Sequence, residues 1–122
     1  MNIKGNSHLI DIWTDVSVNS RCIESDLDRQ CQIRCALKLV KLIPENSYLA
    51  ANTYAWIGTY YYQLNDLNRS IISYKMASKC FKQWKKDNLD DYYTYDITLT
   101  DKTYDYLVEK YKKELSAQLK TQ

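Results

Sequence analysis

Two amphipathic patterns, joined by a very short link, restrict the fold more than any other part of the sequence. Apolar side chains recur every three or four residues from Tyr54 to Leu64, and a second such pattern starts directly after Asn65-Asp66. This spacing predicts helices. Because the link is so short, the two helices must lie antiparallel as neighbours. Residues 48–64 and 67–85 are therefore predicted to form a helical hairpin.

Gly58 lies in the middle of the first predicted helix. A glycine in a helix interior costs about 1 kcal/mol relative to alanine, and the chain contains only two glycines. The missing side chain would let the second helix approach closely, so we expect the two helices to lie close together at Gly58. The scarcity of glycine and the single proline also disfavour an all-β fold, which needs many turns.

The hairpin carries a recognisable motif. The run Tyr54-x2-Ile57-Gly58-x2-Tyr61, followed by Ser70 and Tyr74, resembles the tetratricopeptide repeat, a helical pair of about 34 residues. Three positions depart from the repeat pattern, which has tryptophan, alanine and proline where this chain has Tyr54, Ser70 and Lys82. The resemblance implies a non-catalytic domain that binds other proteins.

Further helices are predicted on both sides of the hairpin, and together they indicate a single all-α domain of about five antiparallel helices. Pro44 is expected to end the helix before the hairpin. Helix caps are predicted at Ser47, Asp66 and Thr98. The segments are a degenerate repeat at 7–46 with helices near 7–20 and 25–43, the best repeat at 48–85, an insertion loop at 87–98 and a capping helix at 99–120. The insertion loop is acidic and rich in tyrosine, and it is interpreted either as a lid over the hairpin's end or as a segment that orders on binding.

The cysteines admit two interpretations. Leu27, Cys31, Cys35 and Leu39 recur every fourth residue, and Ile33, Ala36, Val40 and Ile43 broaden that apolar face. This pattern predicts that both cysteines pack in the core, as free cysteines often do. A zinc site that also uses Cys22, Cys80 or His8 is the alternative. We expect no metal and no cofactor.

A partner-binding face is predicted on the first hairpin helix, away from its packing stripe. By the resemblance, this face lines the concave surface of a repeat stack and accepts an extended peptide or a helix. Ala55 and Thr59 stand where carboxylate-binding repeats carry lysine and asparagine, so that ligand class is disfavoured. Alternatively, neighbouring helices of the same chain fill this face. The predicted groove residues are Asn52, Ala55, Thr59, Tyr62 and Gln63.

Lysines recur along one face of the second hairpin helix, at Lys75, Lys79, Lys82 and Lys86. This basic stripe could bind an acidic protein, RNA or anionic lipid. The alternative is a solvated outer face whose alkyl stems cover apolar neighbours.

Catalysis has little support in the sequence. The only histidine, His8, has no serine or cysteine at a motif spacing, and the net charge of +2 is too balanced to indicate a nucleic-acid binder by itself. No apolar run reaches the ~20 residues of a membrane span, and residues 1–8 lack the apolar core of a secretory signal. We expect a cytoplasmic adaptor or small subunit of a multi-protein assembly, with an organelle interior as the alternative location and nucleic-acid or anionic-surface binding through the basic stripe as the alternative function.

Overall fold

A computed structural model describes residues 26–94, 97 and 99–121 of the chain. Over these residues the fold is all-α without strands, which confirms the predicted fold class. No helix in this part of the chain is both long enough and apolar enough to cross a bilayer. The predicted helix at 7–20, His8 and Cys22 lie outside the described residues. The helices are α1 (Asp26–Val40), α2 (Tyr48–Gln63), α3 (Leu67–Asp87), α4 (Leu89–Thr94) and α5 (Asp101–Lys120).

Helices α2 and α3 form the hairpin, and local signals fix where each begins. The Ser47 side chain accepts a hydrogen bond from the backbone N–H of Ala50, and Asp66 accepts one from that of Arg69, so both predicted caps are confirmed. Asn65 adopts a left-handed conformation with φ of 60°, and the N–H groups of Asn65 and Asp66 donate to the carbonyls of Tyr62 and Tyr61 at 2.9 Å each. These two bonds end α2 in a Schellman motif and turn the chain directly into α3.

Helix α3 approaches α2 closely at Gly58, as the sequence predicts. A Cβ atom at this position would lie 2.8 Å from two ring carbons of Tyr74. The Ser70 hydroxyl donates a buried hydrogen bond of 2.7 Å to the Gly58 carbonyl. An alanine in place of Ser70, as in the repeat pattern, could not make that bond. Glycine on one helix and serine on the other thus bring the two backbones together.

Helix α5 lies antiparallel to α3 and completes the core. Tyr104 near its start contacts Phe81 with ring centroids 6.3 Å apart, and Tyr111, two turns later, contacts Tyr74 at 5.8 Å. The outward face of α5 is exposed and mostly polar. Helix α5 begins at Asp101 after Thr100, whose side chain makes no capping bond; the predicted cap residue Thr98 lies outside the described residues.

Helix α1 packs on α2 through only part of the predicted face. Ile33, Ala36 and Leu39 are buried, whereas Cys31 and Cys35 are exposed. The prediction that both cysteines pack in the core is therefore wrong. Successive residues are about 100° apart around a helix, which places Cys35 about 100° and Cys31 about 140° from Ala36, at the centre of the buried face. Both cysteines therefore lie outside the contact with α2.

The segment predicted as an insertion loop contains the short helix α4. Tyr92 on this helix is half-buried, with its ring 6.2 Å from that of Phe81, and the ammonium group of Lys85 lies 4.3 Å from the centroid of the Tyr92 ring. Tyr93 is 78% exposed. One tyrosine of the segment therefore covers the end of the hairpin, as the lid interpretation expects, while its neighbour faces solvent.

Candidate functional site

Three of the five predicted groove residues line one cavity. Asn52, Ala55 and Thr59 lie on the face of α2 that looks toward α5, and the space between the two helices has a volume of about 150 Å³. We call this cavity the α2–α5 groove. Its remaining lining residues are Trp56, Tyr74, Leu99, Thr103, Tyr104 and Leu107.

A hydrogen-bonded pair of hydroxyl groups fixes part of the lining. Thr59 Oγ1 and the Tyr74 hydroxyl lie 2.6 Å apart, and Thr59 Oγ1 also donates to the carbonyl of Ala55 at 3.0 Å. A threonine hydroxyl has one proton, so Tyr74 must be the donor to Thr59. Burial raises the pKa of Tyr74. Tyr74 is therefore a neutral, oriented group at neutral pH.

Tyr104 belongs to both the core and the groove. Its hydroxyl donates to the side-chain oxygen of Asn52 at 3.4 Å. Burial, with smaller contributions from Tyr48 and Tyr74, raises the pKa of Tyr104 to about 12. The phenol stays protonated at any physiological pH, so this part of the groove carries no charge.

The other two predicted groove residues lie elsewhere. Tyr62 is stacked on Tyr111 of α5, with ring centroids 4.3 Å apart, and Gln63 is exposed at the end of α2. Burial, followed by the neighbouring Tyr74, Tyr62 and Glu114, raises the pKa of Tyr111 to about 12. Tyr62 thus packs α5 against α2. At this end of α2, the arrangement is the one expected from the alternative interpretation, in which the chain's own helices fill the face.

Apolar side chains that the sequence analysis did not select form the rim of the groove. Trp56 is 43% exposed and Leu99 is 51% exposed, and Leu107 is half-buried between them and the core. Trp56 lies four residues after Asn52 and three before Thr59, which places it on the same helical face, so the spacing of α2 contained a signal for it. Leu99 and Leu107 belong to the groove only because of where α5 packs.

The four lysines of the basic stripe are all exposed and border a shallow groove between α3 and α5. Asp105 of α5 enters this groove: it accepts a hydrogen bond of 2.6 Å from the Ser78 hydroxyl, and its carboxylate lies 3.0 Å from the ammonium of Lys82. Partial burial raises the pKa of Asp105, but the bonds from Ser78 and Lys82 outweigh it and lower the pKa overall. One of the four lysines is thereby neutralised.

No metal site was found among the described residues, where no three histidine, cysteine or carboxylate side chains are grouped. Cys80 is buried. Burial, partly opposed by a backbone hydrogen bond from Asn46, raises the pKa of its thiol, which makes Cys80 a poor nucleophile.

Comparison of the chain with models of protein families, with curated protein sequences and with solved structures finds no match. The resemblance to the tetratricopeptide repeat therefore rests on the motif residues of this chain alone.

Proposed function

We propose that the chain is a non-catalytic protein–protein interaction module of the tetratricopeptide type, acting in the cytoplasm as an adaptor or as a small subunit of a larger assembly. The observation that carries this proposal is the α2–α5 groove, a mainly apolar cleft with Trp56 and Leu99 exposed on its rim. Exposed aromatic side chains beside a preformed pocket are typical anchors of protein interfaces.

The size of the groove favours a side chain over a small molecule as its occupant. Pockets for drug-sized ligands measure about 300–1,000 Å³, whereas this groove measures about 150 Å³. An apolar cavity of roughly that volume accommodates benzene. The groove therefore fits one leucine, methionine or phenylalanine side chain presented by a partner.

Polar groups along the groove would orient the partner's backbone. Asn52 uses its side-chain oxygen to accept the bond from Tyr104, which leaves its amide N–H groups for a partner carbonyl. Thr103 lies on the α5 side of the groove and offers a hydroxyl. An apolar anchor with a few polar contacts is the arrangement by which helical grooves bind peptides.

The proposal can be tested with a displayed peptide library selected on the purified chain. We expect selected peptides to share one large apolar residue. Their affinity should fall at least about tenfold for Trp56→Ala, in line with the loss of an aromatic interface anchor. Tyr93→Ala is the matched control, because it removes an exposed aromatic side chain that does not line the groove. Equal binding by wild type and Trp56→Ala, or equal loss in the control, would contradict the proposal.

The basic stripe supports a second candidate function, the binding of nucleic acid or another anionic surface. Among the described residues, Lys75, Lys79 and Lys86 have no carboxylate within salt-bridge distance, so three cations face solvent along one helix. Single-stranded RNA should then bind with an affinity that falls steeply with salt, and Lys79→Gln should reduce that slope. A slope that is flat, or unchanged by the substitution, argues against this candidate.

A further inference from the structure

A second cavity lies between α1 and the turn that joins α2 to α3. Its volume is about 360 Å³. The aliphatic side chains of Ile33, Leu37 and Leu64 line it together with the charged groups of Arg34, Asp66 and Arg69. We call it the Arg34 cavity. It shares no lining residue with the α2–α5 groove.

The charges around the Arg34 cavity are unequally satisfied. Asp66 accepts hydrogen bonds from the backbone N–H of Arg69 at 3.1 Å and from its guanidinium at 2.7 Å, so the charges of Asp66 and Arg69 balance each other. The guanidinium of Arg34 contacts the Cys31 sulfur at 3.9 Å, and sulfur is a weak acceptor. Among the described residues no carboxylate lies within salt-bridge distance of Arg34. The cavity therefore combines an aliphatic lining with one uncompensated cation.

We propose that the Arg34 cavity docks an acidic segment of a partner protein in which a glutamate or aspartate lies close to a large aliphatic side chain. The planar guanidinium of Arg34 would bind the carboxylate through two parallel N–H bonds. The aliphatic side chain would cover Ile33, Leu37 and Leu64.

Size and charge both restrict the occupant. A volume of about 360 Å³ falls at the small end of ligand sites, which fits two or three side chains. A single free cation matches one carboxylate, whereas a nucleic acid backbone needs several cations.

The test uses the peptide Ac-Leu-Ala-Glu-NH2, whose first and third side chains share one side of an extended chain. The peptide is titrated into the ¹⁵N-labelled full chain and followed by NMR. We expect saturable shifts at the amides near Asp66 and Arg69 and at the Arg34 side chain, with a dissociation constant on the order of 1 mM. Arg34→Gln should weaken binding about tenfold, since it removes a charge-assisted pair.

The controls separate this site from a general attraction between charges. Lys38→Gln removes one positive charge from the same helix one turn away and does not line the cavity, so it should bind as wild type does. Asp66→Asn keeps a good helix cap and removes the only carboxylate among the described residues that line the cavity, so it should bind severalfold more tightly. The uncharged peptide Ac-Leu-Ala-Gln-NH2 should bind about tenfold more weakly.

The proposal is overturned if the glutamine peptide binds as well as the glutamate peptide, if Arg34→Gln and Lys38→Gln have equal effects, or if the shifts map to the α2–α5 groove. It is also overturned if Ac-Ala-Ala-Glu-NH2 binds as tightly as the leucine peptide, because the aliphatic lining would then have no role. None of these outcomes counts against the function proposed for the α2–α5 groove, since the two sites share no residue.

Discussion

Replacing Gly58 with alanine is the most direct test of how the hairpin packs. The added Cβ would lie 2.8 Å from Tyr74 Cδ2 and Cε2, closer than Cβ atoms are found to other atoms in proteins. The Tyr74 ring is buried and held by its bond to Thr59 and by the rings of Tyr104 and Tyr111. The ring therefore cannot move aside without disturbing contacts on several sides.

The expected cost of this substitution follows from three opposing effects. Alanine is favoured over glycine in a helix by about 1 kcal/mol. Overpacking a well-filled core costs about 1–3 kcal/mol, and a shift of the ring that breaks the bond between Tyr74 and Thr59 adds about 1 kcal/mol. We expect Gly58→Ala to lower the free energy of unfolding by about 1–3 kcal/mol, and Gly58→Leu to lower it by more.

Urea denaturation followed by circular dichroism measures the change, and a double-mutant cycle identifies its cause. In a Tyr74→Leu background the ring is absent, so most of the cost of Gly58→Ala should disappear. A coupling of at least about 1 kcal/mol between the two positions is expected for residues in contact. The reasoning is refuted if Gly58→Ala is as stable as wild type, or if its cost is the same in both backgrounds.

Three further predictions follow from the same contacts. Ser70→Ala removes the hydrogen bond between the hairpin helices and should cost about 1 kcal/mol in urea denaturation, whereas Ser73→Ala, which removes a bond within one helix, should cost less. Tyr62→Ala loses the stack on Tyr111 and should cost about 1 kcal/mol; an unchanged urea midpoint would count against that role. The pKa values of Tyr104 and Tyr111 are raised to about 12, above an unfolded value near 10. The free energy of unfolding should therefore be full below pH 10 and fall between about pH 10 and 12. Tyr104→Phe should flatten that fall, and an equal fall in the variant would be evidence against this origin of the pH dependence.

The parts of the fold that the sequence predicted well are those with local causes. Ser47 and Asp66 cap helices through bonds to residues three positions away, and Asn65 takes the left-handed conformation that ends α2. The close approach of the helices at Gly58 could be predicted from this one residue, because a glycine inside a helix needs a steric explanation. Each of these can be inferred from a few neighbouring residues, without knowledge of the rest of the chain.

The parts that the sequence predicted poorly depend on residues far apart in the chain. Helix α1 has two overlapping apolar stripes, and the choice of Ile33 and Ala36 over Cys31 and Cys35 depends on how α1 lies against α2. The groove likewise needs Leu99, more than forty residues after Trp56, and no local pattern connects the two. Spacing along α2 predicted three of the nine residues that line the groove, whereas the lining residues from Leu99 onward depend on how α5 packs.

Helix α5 joins the stability of the domain to the shape of its candidate binding site. Its residues Tyr104 and Tyr111 complete the core against α3, while Leu107 on the same helix forms a wall of the groove. A substitution that loosens these core contacts would move that wall and change binding without removing a contact to the partner. Trp56 and Leu99 are the residues that can report on binding alone, because roughly half of each side chain is exposed and neither belongs to the buried core.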